Sequence, residues 1–190
     1  MRIAPALALA AALGAAAGGA QAQITNNEIK IGILSDMSSL YTDLAGAGSV
    51  LAARMAVEDS GITGRGFKVD FVSADHQNKA DVGSNIARQW YDRDGVDLIV
   101  DVPNSAVALA VNTVTREKNK VFLVSGAATS ALTGNQCSPN TIHWTYDTWA
   151  LANGTGNAIV KTGGDSWFFL TADYAFGHQL EADTEAVVLK

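Results

Sequence analysis

The chain has 190 residues, a formal net charge of −6, and 48% hydrophobic and 17% charged residues. This composition is that of an ordinary globular protein and excludes a disordered chain. The negative balance argues against a partner that is nucleic acid or anionic lipid. The one cysteine, Cys137, cannot form a disulfide within the chain. His76, His143 and His178 are scattered without the spacing of metal ligands, so we expect neither a metal nor a cofactor.

The N-terminus has the pattern of an export signal. Met1 and Arg2 give a positive start, Ile3 to Ala17 is apolar, and the small residues that follow end in Ala20-Gln21-Ala22. The pattern predicts a signal peptide over residues 1–22, cleaved near Ala22. A membrane anchor is the alternative, but the apolar run is short and rich in Ala and Gly. We therefore expect a soluble mature protein in the periplasm.

Strand-like and helix-like segments alternate along the rest of the chain. Short runs rich in β-branched or aromatic residues predict strands at Glu28–Leu34, Phe67–Ser73, Val96–Val100, Val121–Val124, Thr141–Thr145 and Ser166–Thr171. Apolar residues repeating every three or four positions predict helices at Leu44–Asp59, Ala80–Asp92 and Ser105–Lys118. Two further helices are expected, around Thr148–Lys161 and at Ala175–Val188. Within these elements, we expect Trp90 and Trp167 to lie in the core.

This alternation predicts an α/β fold, a doubly wound and mainly parallel sheet with helices on both faces. Residues 27–145 are expected to form a first lobe. Residues 146–190 would hold a crossover and the beginning of a second, similar lobe. One strand and one helix cannot bury their own apolar faces, so we expect this second lobe to be truncated in the chain.

Four loops follow the carboxyl ends of predicted strands, where ligands bind in open parallel sheets. They are rich in hydroxyl groups and small residues, and they comprise Ser35–Asp43, Asp101–Ser105, Ser125–Ser130 and Ala172–Gly177. Hydroxyl groups and free N–H groups at helix starts suit an anion such as a carboxylate. Tyr41 and Tyr174 add apolar walls that each carry one polar tip.

Each of these residues also has a purely structural interpretation. Ser105 is placed to cap a helix, and Thr129 and Ser130 are placed to cap a short turn. Tyr41 and Tyr174 could be half-buried packing residues. The pair Asp75-His76 follows a strand and precedes a helix, which favours a solvated turn or a cap.

Enzyme motifs are missing from the sequence. It contains no GxSxG, no P-loop and no GxGxxG between the first strand and its helix. We therefore expect a protein that is not an enzyme. A catalyst of the doubly wound class is the disfavoured alternative.

In this order and spacing, four segments resemble a known family. They are KIGILSDMSSLYTDLAGAGSVLAARMAVED, DLIVDVPNSAVALAV, VFLVSGAATSALT and WFFLTADYAFG. Together they resemble the type I periplasmic binding proteins of ABC transporters, in the leucine/isoleucine/valine-binding branch. The resemblance implies two α/β lobes joined by a hinge, a small ligand trapped between them, and an inner-membrane ABC permease as partner.

The resemblance also implies a set of ligand-binding residues. The segment SGAATSALT implies carboxylate contacts from Ala127 and Thr129, and the segment DVPNS implies a hydroxyl at or beside Ser105. The complete set of candidates is Tyr41, Asn104, Ser105, Ala127, Ala128, Thr129 and Tyr174. These residues lie in the same four loops that follow the strands.

The sequence also departs from the family pattern. Its first loop reads SDMSSLY, without the Gly-Pro often found there, and the later residues that hold the ammonium group of amino-acid ligands are absent. The implied ligand is a branched-chain amino acid or a related amide or aromatic acid. The same fold also serves as the sensor domain of signalling receptors, which is the alternative function.

Overall fold

The computed structural model of the protein describes residues 25–189. The predicted signal peptide lies outside this range. The described chain contains a five-stranded sheet in which every neighbouring pair is parallel. Its strands are β1 (Glu28–Ser35), β2 (Lys68–Asp75), β3 (Leu98–Asp101), β4 (Val121–Val124) and β5 (Thr141–His143).

The strand order is β2-β1-β3-β4-β5. The second strand is therefore added on one side of β1, and β3, β4 and β5 are added in turn on its other side. The register aligns the carboxyl ends of four strands. Ser35 pairs with Asp75, Leu34 with Asp101, and Asp101 with Val124. The loops that leave β1, β2, β3 and β4 therefore start from one edge of the sheet, where the sequence predicts the ligand site.

Five helices connect or follow the strands: α1 (Gly46–Ser60), α2 (Ala80–Asp92), α3 (Ser105–Glu117), α4 (Thr148–Lys161) and α5 (Ala175–Val188). All five lie where a helix is expected from the sequence, with shifts of at most a few residues. None of the helices within residues 25–189 is both long and apolar enough to cross a membrane. The parallel α/β class expected from the sequence is confirmed.

The core lies between the sheet and the helices α2 and α3. Ile99 of β3 and Phe122 of β4 belong to one hydrophobic cluster with Val107 and Val111 of α3, and all four are fully buried. Trp90 of α2 packs directly on Gly32 of β1. A Cβ atom at position 32 would lie 2.5 Å from Cζ3 of Trp90, so only glycine leaves room for the indole ring.

The opposite face of the sheet is more open. Leu98 and Val100 alternate with the buried Ile99 and, together with α1, line a groove of about 720 Å³. Leu51 and Met55 of α1 are exposed. The apolar spacing of α1 predicts the helix correctly, but part of its apolar surface does not pack against the described chain.

The expected strand at Ser166–Thr171 is wrong for the described residues, because this segment has no regular secondary structure and pairs with no other strand. Phe168 and Leu170 are more than nine-tenths exposed. A run of this composition becomes a strand only when a neighbouring strand satisfies its backbone groups. Trp167, expected in the core, is only half-buried for the same reason, whereas Trp90 is buried as expected.

Candidate functional site

The loop after β1 is wound around a buried carboxylate, Asp36. One Asp36 oxygen accepts the N–H of Ser39 at 2.9 Å, and the other accepts the N–H of Tyr41 at 2.8 Å and the Ser39 hydroxyl at 2.7 Å. Burial alone would raise the pKa of Asp36, but these hydrogen bonds outweigh it and lower the pKa below its usual value. Asp36 is therefore an anion that fixes the position of Tyr41.

The loop after β3 begins with strained backbone. Asp101 has φ 82° and Val102 has φ 58°, a left-handed conformation that is unusual for a β-branched residue. The N–H of Val102 donates to the carbonyl of Leu34 at 3.0 Å, which holds the bend. Such strain is retained only where the surroundings enforce it, and it concentrates at binding sites.

The carboxylate of Asp101 ties three strand ends together. It accepts the hydroxyl of Ser35 at 2.6 Å and the hydroxyl of Ser125 at 3.1 Å, and Asp101 is almost fully buried. These bonds join the ends of β1 and β3 to the start of the loop after β4. The positive φ of Asp101 turns its side chain into this position.

The loop after β4 lies close against the loop after β3. A Cβ atom on Gly126 would be 2.8 Å from Cα of Pro103, so the approach requires glycine. This approach brings Thr129 to Ser105, whose hydroxyl oxygen accepts the Thr129 N–H at 3.3 Å. Two residues that the resemblance assigns to the ligand are therefore in direct contact.

Asn104, not Ser105, caps helix α3. Its side-chain oxygen accepts the N–H groups of Ala106 at 2.8 Å and Val107 at 3.1 Å. The structural interpretation of Ser105 as the cap is wrong because Asn104 holds the extended conformation that precedes the helix. Thr129 does cap the short 3-10 turn Ser130–Leu132, through the Ala131 N–H.

The remaining loop candidates, Ala127 and Ala128, are held through their carbonyl oxygens. A ring nitrogen of His143 lies 2.7 Å from the Ala127 oxygen, and the N–H of Thr148 donates to the Ala128 oxygen at 2.8 Å. Both alanines are buried.

Tyr41 and Tyr174 meet through their hydroxyl groups, although 133 residues separate them in the sequence. Both side chains are half-buried. Burial, together with the neighbouring hydroxyls of Tyr41 and Tyr146, raises the pKa of Tyr174, so this phenol stays protonated. Tyr146, half-exposed and close to Tyr174, is a third aromatic residue here, which no sequence pattern indicated.

The interpretation of Asp75-His76 as a solvated turn is wrong for His76, which is completely buried. Asp75 acts as a local cap and accepts the N–H groups of Met37 and Gln77. The Nδ1 atom of His76 accepts the N–H of Asn78 at 3.0 Å, which leaves the proton on Nε2. The backbone at Gln77 and Asn78 is left-handed and turns the chain over the ring.

Burial lowers the pKa of His76, although the nearby carboxylates of Asp36, Asp75 and Asp101 oppose this effect. His76 is therefore neutral at pH 7, and its Nε2 has no hydrogen-bond partner in the described part of the chain. None of the seven candidate residues carries a positive charge, so neutral hydroxyl and N–H groups are the available donors for an anion. Within residues 25–189, no cluster of His, Cys, Asp and Glu has the arrangement of a metal site.

This chain matches the model of the family described as periplasmic binding protein over residues 28–190. A periplasmic binding protein from Burkholderia mallei is 53% identical, with a TM-score of 0.82 over 86% of this chain and 44% of that chain. The chain belongs to the type I periplasmic binding proteins. This result confirms the resemblance to receptors of ABC transporters, a family that includes branched-chain amino acid binders.

Other solved periplasmic binding proteins extend the comparison. A branched-chain amino acid ABC transporter ligand-binding protein from Burkholderia xenovorans LB400 is 39% identical, with a TM-score of 0.74 over 85% of this chain and 43% of that chain. A solute-binding protein from R. palustris in complex with 4-hydroxybenzoate shares the fold at 21% identity and a TM-score of 0.76, over 85% of this chain and 44% of that one. No curated protein matches the chain. The chain thus spans less than half the length of these solved relatives.

Proposed function

We propose that this periplasmic binding protein is the extracytoplasmic receptor of an ABC importer and captures a small ligand that carries a carboxylate. The observation that carries the proposal is the meeting of the Ser105 and Thr129 loops at the carboxyl edge of a parallel sheet. Hydroxyl and N–H groups converge there, and none of the seven candidate residues, all of which lie in the described part of the chain, has a cationic side chain. The contact of Tyr41 with Tyr174 closes the same edge with aromatic surface.

The family supports the location and partner in this proposal. Its members act in the periplasm as solute receptors, so the partner of the whole protein would be an inner-membrane ABC permease. Some solved relatives hold 4-hydroxybenzoate or 3,4-dihydroxybenzoic acid, and another holds leucine. These ligands have a carboxylate in common and differ in their apolar part.

The proposed mechanism is hinge closure without a chemical step. An open protein takes up the ligand on residues 27–145, the proposed first lobe, and a second lobe that begins at residue 146 closes over it. The ligand favours the closed form only by binding it more tightly than the open form. We propose that Tyr41 and Tyr174, which touch in this structure, approach each other during closure.

A thermal-shift screen of the full-length mature protein tests this proposal. Leucine, isoleucine, valine, benzoate and 4-hydroxybenzoate are each compared with a partner that lacks the carboxylate, such as leucinamide or benzamide. A true ligand at one hundred times its Kd adds about 2.7 kcal/mol to the free energy of unfolding, which is a clear rise in melting temperature. No rise with any acid, or an equal rise with the matched amide, contradicts carboxylate recognition.

A further inference from the structure

A carboxylate outside the four strand-end loops, Asp183 of α5, is hydrogen-bonded to the loop after β4. One Asp183 oxygen accepts the hydroxyl of Ser130 at 2.9 Å and the hydroxyl of Thr148 at 2.6 Å. The other accepts the side-chain amide of Gln179 at 2.9 Å. We call these four residues the Asp183 cluster. Ser130 and Thr148 are 53 and 35 residues away from Asp183 in the sequence.

The directions of the hydrogen bonds in the Asp183 cluster are fixed. Thr148 is completely buried, and its hydroxyl oxygen accepts the N–H of Ser130 at 3.0 Å. The hydroxyl hydrogen of Thr148 then has the 2.6 Å contact to Asp183 as its acceptor. Two hydroxyl donors therefore point at a single oxygen, and an ionised carboxylate suits this arrangement better than any neutral side chain.

The Asp183 cluster reaches the candidate ligand site directly. Thr148 donates its N–H to the Ala128 carbonyl at 2.8 Å and accepts the N–H of Ser130 at 3.0 Å, so it is bonded on both sides of Thr129. Thr129 itself donates to Ser105. The conformation of residues 128–130 thus depends on Thr148, whose hydroxyl is oriented by Asp183.

The same helix carries the aromatic part of the site. Tyr174 is the residue immediately before α5, and Asp183 lies about 13 Å further along the helix axis at 1.5 Å per residue. The cluster therefore joins the helix that presents Tyr174 to the loop that presents Ala127, Ala128 and Thr129. Close packing of α5 against α4 at Gly156 and Val187 is a separate contact that does not involve Asp183.

We infer that Asp183 is a positioning residue for the ligand site, which sets the loop of Ala127–Thr129 and helix α5 in one binding geometry through Ser130 and Thr148. This inference rests on the proposed function and adds to it a residue outside the four strand-end loops. Removal of the carboxylate leaves the hydroxyls of Ser130 and Thr148 without their acceptor. The contact between α4 and α5 remains, so we expect the fold to persist while the loop loses its fixed position.

The test compares Asp183→Ala, Asp183→Asn and the control Glu185→Ala, an exposed acid on the same helix, in the full-length mature protein. Leucine and 4-hydroxybenzoate are the probes, titrated by calorimetry. Asp183→Ala should weaken binding of the accepted probe about tenfold, the effect of losing a hydrogen bond to a charged group. Asp183→Asn should stay within about threefold of wild type, because its oxygen still accepts both hydroxyls through weaker neutral bonds. Glu185→Ala should bind as wild type does.

Two further measurements separate positioning from general stability. The double variant Ser130→Ala/Asp183→Ala should bind no more weakly than Asp183→Ala alone, because both changes remove the same connection. Amide hydrogen exchange at Ser130 should be faster in Asp183→Ala and unchanged in Glu185→Ala, with or without a probe. The inference would be overturned if Asp183→Ala bound the probe with wild-type affinity, or if Asp183→Asn bound it as weakly as Asp183→Ala does. It would also be overturned if amide hydrogen exchange at Ser130 were the same in Asp183→Ala as in wild type. A wild-type protein that binds neither probe counts against the proposed function, and the exchange comparison then decides the role of Asp183.

Discussion

Replacing Asp101 tests the claim that a buried carboxylate holds the strand ends together. In Asp101→Ala the hydroxyls of Ser35 and Ser125 lose an acceptor, and each hydrogen bond to a charged group is worth about 1.5–3 kcal/mol. Alanine is also less tolerant than aspartate of the φ of 82°. Loss of the charge removes its desolvation cost and offsets part of this sum. We expect a net loss of about 3 kcal/mol in the free energy of unfolding.

Two variants make this prediction specific. Asp101→Asn keeps one acceptor and tolerates a left-handed backbone, so it should cost only about 1 kcal/mol. Asp70→Ala removes a carboxylate that is paired at the surface with Lys68, and it should cost less than about 0.5 kcal/mol. Urea unfolding of the full-length mature protein measures all three values. If Asp101→Ala lost no more free energy of unfolding than Asp70→Ala, or no more than Asp101→Asn, the proposed role of the Asp101 carboxylate would be refuted.

Three other predictions test other parts of the structure. Because the pKa of buried His76 is lowered, the unfolded chain takes up the proton first, and stability should fall as pH drops below about 6.5, by up to about 1.4 kcal/mol per pH unit. His76→Gln should make the free energy of unfolding less dependent on pH between pH 7 and pH 5, and the same pH dependence in variant and wild type would contradict this. The stability contributed by Asp36 and Asp75, whose pKa values are also lowered, should disappear only below about pH 4. Gly32→Ala should lower the free energy of unfolding by about 1–3 kcal/mol, because the added Cβ overlaps Trp90. Gly48→Ala, whose added Cβ meets nothing within 4 Å, should be neutral or stabilising. Equal denaturation midpoints for the two variants would argue against the close packing of Trp90 on Gly32. Thr129→Val should weaken binding of a carboxylate ligand by at least about 1 kcal/mol in calorimetric titrations, while the exposed Thr133→Val should not, and unchanged affinity would remove Thr129 from the site.

The pattern of apolar residues was sufficient to predict most of the elements. Helix α2 has the predicted bounds, Ala80–Asp92, because helix periodicity is a local property of the chain. The helices expected around Thr148–Lys161 and at Ala175–Val188 are also present. The segment Ser166–Thr171 was not predictable in the same way. Its strand propensity is local, but a strand also needs a neighbour, and the described residues supply none.

Residue type also indicated an edge of the sheet at which the candidate residues meet. Hydroxyl-rich loops after buried strands predicted the region where Ser105 meets Thr129 and Tyr41 meets Tyr174. The ligand roles of these residues stay predictions. The choice of Ser105 as the helix cap was wrong, since the two neighbouring residues Asn104 and Ser105 are both good caps and only the backbone conformation distinguishes them.

The sequence by itself determined the α/β class, the order of its elements and the edge that carries the candidate site. All of these follow from local periodicity and from the rule that parallel strands end at one edge. Only the tertiary structure decided how Asp36, Asp101, His76 and Asp183 are used. Their partners lie up to 66 residues away, and the contacts depend on backbone directions such as the positive φ of Asp101. A local pattern does not record such directions, because they are set by the packing of distant segments against one another.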